Sequence, residues 1–189
     1  MFARGFKSWC ETVAAQRRRD LGLRPVDPLD PVKLAEALAV DVRSVDEVPD
    51  LDQESRSALA MDSGGWSAVT LTDGIRHVVI LNSLHSAARS ASDLMHELAH
   101  LMIGHEAGRV DITEDGSLIL NTYDRTQEDE ANWLAGCLLL PRDALLWILK
   151  RGLSLDAAAR EYGASTQMME YRLNVTAVRL QIGRQRARR

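Results

Sequence analysis

The sequence offers no covalent scaffold. Its two cysteines, Cys10 and Cys137, stand far apart and form no C-x-x-C pair, which argues against a disulfide framework and against a thiolate zinc site. Long hydrophobic runs are also missing. The most apolar stretch, Leu134 to Leu140, is far too short to span a bilayer, so no membrane partner is expected. Met1 to Asp20 contains no uninterrupted apolar segment of the kind a signal peptide needs, and the expected setting is cytoplasmic. A dominant charge is lacking too: the net charge of −4 argues against a general nucleic-acid coat. The charges that are present are uneven. Arg17-Arg18-Arg19 and Arg184, Arg186, Arg188 and Arg189 are basic, Glu128-Asp129-Glu130 is acidic, and such runs read as solvated faces or frayed ends. Neither an internal repeat nor a low-complexity tract is visible.

With 189 residues the chain can bury a real core. Phe2, Phe6, Trp9, Cys10 and Val13 recur at helical spacing and predict an opening amphipathic helix. Asp30 as N-cap with Pro31 at the first helical position predicts a short helix through Ala39. Val40 to Val45 alternates like a strand. Trp66 to Leu71 and Ile75 to Leu81 flank Thr72-Asp73-Gly74, a hairpin signal, and a weaker hairpin is expected around Glu114-Asp115-Gly116. Helices are expected from about Gln127 to Leu140 and from Pro141 to Lys150, with Gly152 as a stop. Ser154 and Ser165 are candidate caps for the last two helices. The fold class is α+β: a small, mostly antiparallel sheet packed on several helices.

His96-Glu97-Leu98-Ala99-His100 carries the chemistry. It spells H-E-x-x-H, and on a helix positions i and i+4 lie one above the other. Two imidazoles so placed can close on one metal ion, with Glu97 beside them as general base. Ser90 to Asp93 resembles a capping box for this helix and Gly104 its stop. A catalytic zinc needs a third protein ligand and an open position for water. His105 is out of register for the long H-E-x-x-H-x-x-G-x-x-H form, because Ile103 and Glu106 stand where that form needs Gly and His. It reads as a surface or capping residue. The better source is the helix that begins near Glu128. Glu128, Ala131, Asn132 and Ala135 share one face, while Glu130 points elsewhere. Small alanines would let this helix approach the metal helix, Glu128 is preferred over Glu130 as the ligand, and Asn132 could orient a ligand imidazole. A plainer reading makes these acids favourable charges at a helix start, with Thr126 as cap.

The H-E-x-x-H motif and the stretch Glu128 to Pro141, which looks like E-x-x-A-N-x-x-A-x-x-L-L-x-P, resemble the ImmA/IrrE metallo-endopeptidases. Weaker echoes are Val26-Asp27-Pro28, Asn82 and Arg89. The resemblance implies a zincin-like peptidase with Zn2+ held by His96, His100 and Glu128 and with Glu97 as the catalytic glutamate. It implies a protein substrate, a helix-turn-helix transcriptional repressor. Ala99 stands where the family usually has glycine, and Ser90-Ala91-Ser92 replaces its Arg-Phe-Thr, which puts local substrate contacts in question. Residues 1–151 would form the metallopeptidase domain and 152–189 a C-terminal helical extension. By analogy, Ile75 to Leu81 is the strand expected to align an extended substrate.

Ala159 to Ser165 has the A-x-x-x-G-x-S turn of a helix-turn-helix, followed by Arg172 and Arg179. Two readings stay open there: contact with DNA, or helices packed back on the peptidase through Leu155, Ala158, Met169 and Leu173. The function alternative is accordingly a non-catalytic or toxin-like protein that engages a repressor or DNA through these helices. Glu97 speaks for the enzyme, since a purely structural metal site has no use for it.

Overall fold

A computed structural model describes residues 2–48, 53, 66–73, 75–105, 109–112, 118–121 and 124–187. Helix α1 (Phe6–Asp20) forms as expected, and the face it buries is Cys10, Ala14 and Arg18. Phe2 stacks on Phe6 at 5.2 Å and meets Trp133 edge-on at 5.3 Å. Arg18 corrects the reading of its run as a solvated face, because it is fully buried. Its guanidinium donates to the carbonyls of Asp27 and Leu138, each at 2.8 Å. The last carbonyls of a helix have no partner inside it, and a planar fork of donors satisfies them. Burial pushes the Arg18 pKa down to about 10, far above neutrality, so the cation persists.

Helix α2 (Pro31–Ala37) is capped by Asp30, which accepts from the Val32 amide. Strand β1 (Val40–Ser44) ends one residue sooner than its alternation suggests. Ser44 and Glu47 close a capping box there and turn Val45–Glu47 into a short 3-10 segment. Strands β2 (Ala68–Asp73) and β3 (Arg76–Leu81) form the expected antiparallel hairpin, from Ala68↔Leu81 to Asp73↔Arg76. Gly74 and the turn at Glu114-Asp115-Gly116 lie outside the described residues. β1 runs parallel to the other side of β3, from Val40↔His77 to Ser44↔Leu81, so the sheet order is β1-β3-β2 with β3 in the middle. A separate antiparallel pair, β4 (Arg109–Ile112) and β5 (Leu118–Asn121), follows the next helix.

That helix, α3 (Ala87–Ile103), starts earlier than the predicted capping box at Ser90. Ser86 is the cap, accepting from the Arg89 amide, and Gly104 ends the helix in the left-handed region at φ 81. The buried Asn82 sets the approach by accepting from the Leu84 amide at 3.0 Å and donating to the Trp66 carbonyl at 3.1 Å. Helix α4 (Arg125–Leu139) also starts early: Asp124, not Thr126, is its cap. It lies in the core, and Ala131 and Ala135 are buried. Helix α5 (Arg142–Arg151) follows Pro141 and stops at Gly152.

Beyond Gly152 two helices are expected and three are found. Ser154 caps α6 (Leu155–Tyr162), Ser165 caps α7 (Thr166–Val175), and α8 (Val178–Arg186) follows. The break between the last two lies at Ala177, which adopts φ 54, and no glycine or proline marks it in the sequence. These helices pack back on the molecule. One core cluster runs from Cys10 and Ala14 through Leu98, Leu134 and Leu138 to Ala158, Met169, Leu173 and Val178, across positions 151 and 152 without interruption. The Tyr162 hydroxyl donates to the Val26 carbonyl at 2.6 Å. Arg172, a candidate DNA contact, is fully buried and donates to the Leu140 carbonyl at 3.0 Å and to Glu11 at 2.7 Å. It cannot reach a nucleic acid. The chain is thus mixed α+β with a small sheet. Among the described residues no single helix is long and apolar enough to cross a membrane.

Candidate metal centre

Helix α3 buries Leu94, Met95, Leu98 and Ala99 on one face, and this orientation turns His96, Glu97 and His100 toward α4 and the sheet. The 3.6-residue period alone brings the two imidazoles together: their rings meet edge-on with centroids 4.6 Å apart and their Nε2 atoms 3.0 Å apart. From α4, Glu128 places one carboxylate oxygen 3.2 Å from His96 Nε2 and the other 3.3 Å from His100 Nε2. The three side chains can each offer a ligand atom, all within 4.8 Å of one another. Two ligands held about 2.0–2.1 Å from one tetrahedral ion stand roughly 3.3 Å apart. The observed separations match that spacing, so the donor set fits a divalent metal such as zinc, with two imidazole nitrogens and one carboxylate.

The other ring nitrogens are engaged as well. His96 Nδ1 lies 3.1 Å from Asn132 Oδ1, one turn beyond Glu128. His100 Nδ1 lies 3.0 Å from His105 Nδ1, and His105 Nε2 lies 3.3 Å from Glu130 Oε2. Of the two readings its position suggested, surface or capping, His105 follows the capping one, since its amide donates to the His100 carbonyl at the helix end. Its side chain is only 7% exposed. Burial, aided by the neighbouring His96 and His105, pushes the His100 pKa down to about 4, which leaves its imidazole neutral and free to donate a lone pair near neutrality.

Glu97 sits beside this cluster but outside it. Its carboxylate accepts a hydrogen bond from the Thr70 hydroxyl of β2. Burial raises its pKa above the ordinary carboxylate value, and the Thr70 hydrogen bond opposes that rise. Glu97, His96 and Glu128 open into a cleft of about 300 Å³ that Ser67, Ala68 and Asp93 also line. Ser92 borders the same cleft, in the segment that replaces the Arg-Phe-Thr of the resembled family. Arg89 reaches Ser67 at 3.2 Å on its rim.

Ile75 to Leu81 was the strand expected to receive an extended substrate. β3 is paired on both sides, by β1 and by β2, and has no free edge. Among the described residues the strand with an unpaired side next to the cleft is β2. Sequence patterning could not see this, because the parallel partner β1 lies far upstream. Thr70, His105 and Glu130 were missed as participants for a similar reason. The one available signal was His105 directly after a helix-ending glycine, a position that folds the next residue back on the last turn.

Comparison with known proteins agrees with this geometry. The model of the IrrE N-terminal-like domain, peptidase family M78, matches residues 49–174, which include all three potential ligands and Glu97. No curated protein matches the chain in sequence. With most of its length matched, and with the paired histidines and the downstream glutamate converging on one another, the chain belongs to the IrrE N-terminal-like peptidase family.

Proposed function

We propose that this chain is a zinc-dependent endopeptidase, with His96, His100 and Glu128 as ligands and Glu97 as general base. The observation that carries the reading is the placement of Glu97: half-buried, held by Thr70, and next to three converged donors at an open cleft. A zinc ion there would polarise the scissile carbonyl and make a water molecule acidic enough to attack near neutral pH. Glu97 accepts the proton of the attacking water and returns it to the departing amine. Burial raises its pKa, which makes the carboxylate a stronger base than an exposed one. Asn132 orients His96. An extended peptide would add to the side of β2 that is unpaired among the described residues, by backbone hydrogen bonds that bring a scissile bond toward Glu97.

The proposed substrate is a helix-turn-helix transcriptional repressor. This part of the reading rests on the resemblance carried by the H-E-x-x-H motif and the Glu128 to Pro141 segment. A cytoplasmic setting follows from such a substrate.

The test uses a Glu97→Gln variant, which keeps the donor set and removes the base. It is expected to retain zinc, to trap its partner, and to lose cleavage by on the order of 10²–10⁴-fold. Trapped partners are identified by mass spectrometry and incubated with wild-type protein, with and without chelator. A partner bound stoichiometrically but never cut by the zinc-loaded wild type would replace this reading with that of a binding protein.

A further inference from the structure

We infer that His105 is a positioning residue for His100, and that Glu130 completes a side-chain relay which holds His100 in the tautomer and orientation that metal binding requires. The inference rests on the proposed metal centre and extends it to two residues outside the donor set.

The backbone builds the relay first. Gly104 turns out of α3 in the left-handed region, and the amides of Gly104 and His105 both donate to the His100 carbonyl at 3.1 Å. His105 is thereby folded back over the last turn, and its ring meets that of His100 edge-on with centroids 5.0 Å apart. Hydrogen placement then follows from valence. His100 presents Nε2 to His96 and Glu128, so a ligating role needs the lone pair on that atom and puts the hydrogen on Nδ1. That Nδ1–H needs an acceptor, and His105 Nδ1 lies 3.0 Å away. Accepting there places the His105 hydrogen on Nε2, which faces the Glu130 carboxylate at 3.3 Å. A carboxylate can only accept when ionised, so each atom along the line has one consistent role.

Helix α4 therefore serves both histidines from alternate positions. Glu128 enters the donor set, Asn132 holds His96 directly, and Glu130, on another face, holds His100 through His105. A carboxylate behind a ligand imidazole fixes its rotation and raises its basicity, and loss of such a partner typically weakens metal binding 10–100-fold.

The test measures zinc affinity of the full chain by competition with a chromophoric chelator, together with the visible absorption of the cobalt-substituted protein. His105→Phe keeps an aromatic ring but removes the acceptor, and is expected to bind zinc about 10–100-fold more weakly with an altered cobalt spectrum. His105→Asn keeps an acceptor oxygen near the place of Nδ1 and should stay within about threefold of wild type. His105→Phe at wild-type affinity, or His105→Asn losing as much as His105→Phe, overturns the relay. If His105→Phe does not fold, Glu130→Leu decides: weaker zinc binding supports the relay and unchanged binding refutes it. Wild-type protein that binds no zinc would overturn the metal centre itself, whereas zinc-binding wild type with an unaffected relay variant overturns only this inference.

Discussion

Thr70, on β2, an outer strand of the three-stranded sheet among the described residues, donates its hydroxyl to the carboxylate of Glu97 on α3. The strand proposed to receive substrate and the group proposed to move the proton are thus tied by one hydrogen bond. A hydrogen bond to a charged group contributes about 1.5–3 kcal/mol, and partial solvent access places this one toward the low end. Thr70→Val should therefore lower the cleavage rate about tenfold with zinc content unchanged, and Thr70→Ser should restore it. Single-turnover rates on the trapped partner measure both. Thr70→Val at the full rate would remove Thr70 from the machinery.

Metal content separates the two glutamates of α4. Wild-type protein should carry about one zinc per chain after dialysis, and His100→Ala and Glu128→Ala should lose it, because two remaining ligands hold the ion weakly. Glu130→Ala should still fill at saturating zinc, since its carboxylate meets His105 and not the donor set. Plasma mass spectrometry of the dialysed and zinc-saturated proteins gives the count. Zinc retained by Glu128→Ala and lost by Glu130→Ala would move the ligand by two positions.

Arg172 predicts a stability effect where a DNA contact would predict none. It is buried and joins α7 to Leu140 and Glu11, and its Cδ methylene lies 3.0 Å from where a Cβ on Gly136 would stand. Removing one partner of a buried pair costs about 3–5 kcal/mol. Glu11 keeps some solvent access and can be rehydrated, so Arg172→Ala should cost roughly 2–4 kcal/mol in urea unfolding. The exposed Arg179 is the comparison, and Arg179→Ala should stay within about 0.5 kcal/mol of wild type. Equal midpoints for the two variants would contradict the packed arrangement of the C-terminal helices.

Acid should weaken the metal-free protein through His100. Its folded pKa lies at about 4, below the ordinary 6.5, because burial disfavours the imidazolium. As pH falls, the unfolded chain takes up this proton first. The contribution is fully present above about pH 6.5 and is lost as pH falls through about 4. Urea midpoints of metal-free wild type should fall across that window more steeply than those of His100→Gln. Parallel curves would mean that His100 is not held neutral by the fold.

Much of the architecture was legible because its signals are local. Asp30, Ser154 and Ser165 cap the helices they were expected to cap, and Gly104 and Gly152 stop theirs. Errors arose where a second signal competed within one turn. Ser86 displaced Ser90, and Asp124 displaced Thr126, since a helix extends back to the earliest cap its residues allow. The break at Ala177 had no residue to announce it, so α7 and α8 read as one.

The sequence by itself determined the chemistry that lies within one helical turn. The spacing of His96 and His100 and the shared face of Glu128 and Asn132 follow from 3.6 residues per turn, whatever surrounds them. Only the tertiary structure decided what crosses between elements. It brought Glu128 to the histidines, Thr70 to Glu97 and Glu130 to His105, paired β3 on both sides, and buried Arg18 and Arg172 among helix-end carbonyls. The reason is range: a period constrains neighbours along the chain, whereas these pairings depend on how separate elements pack, and no residue pattern encodes that distance.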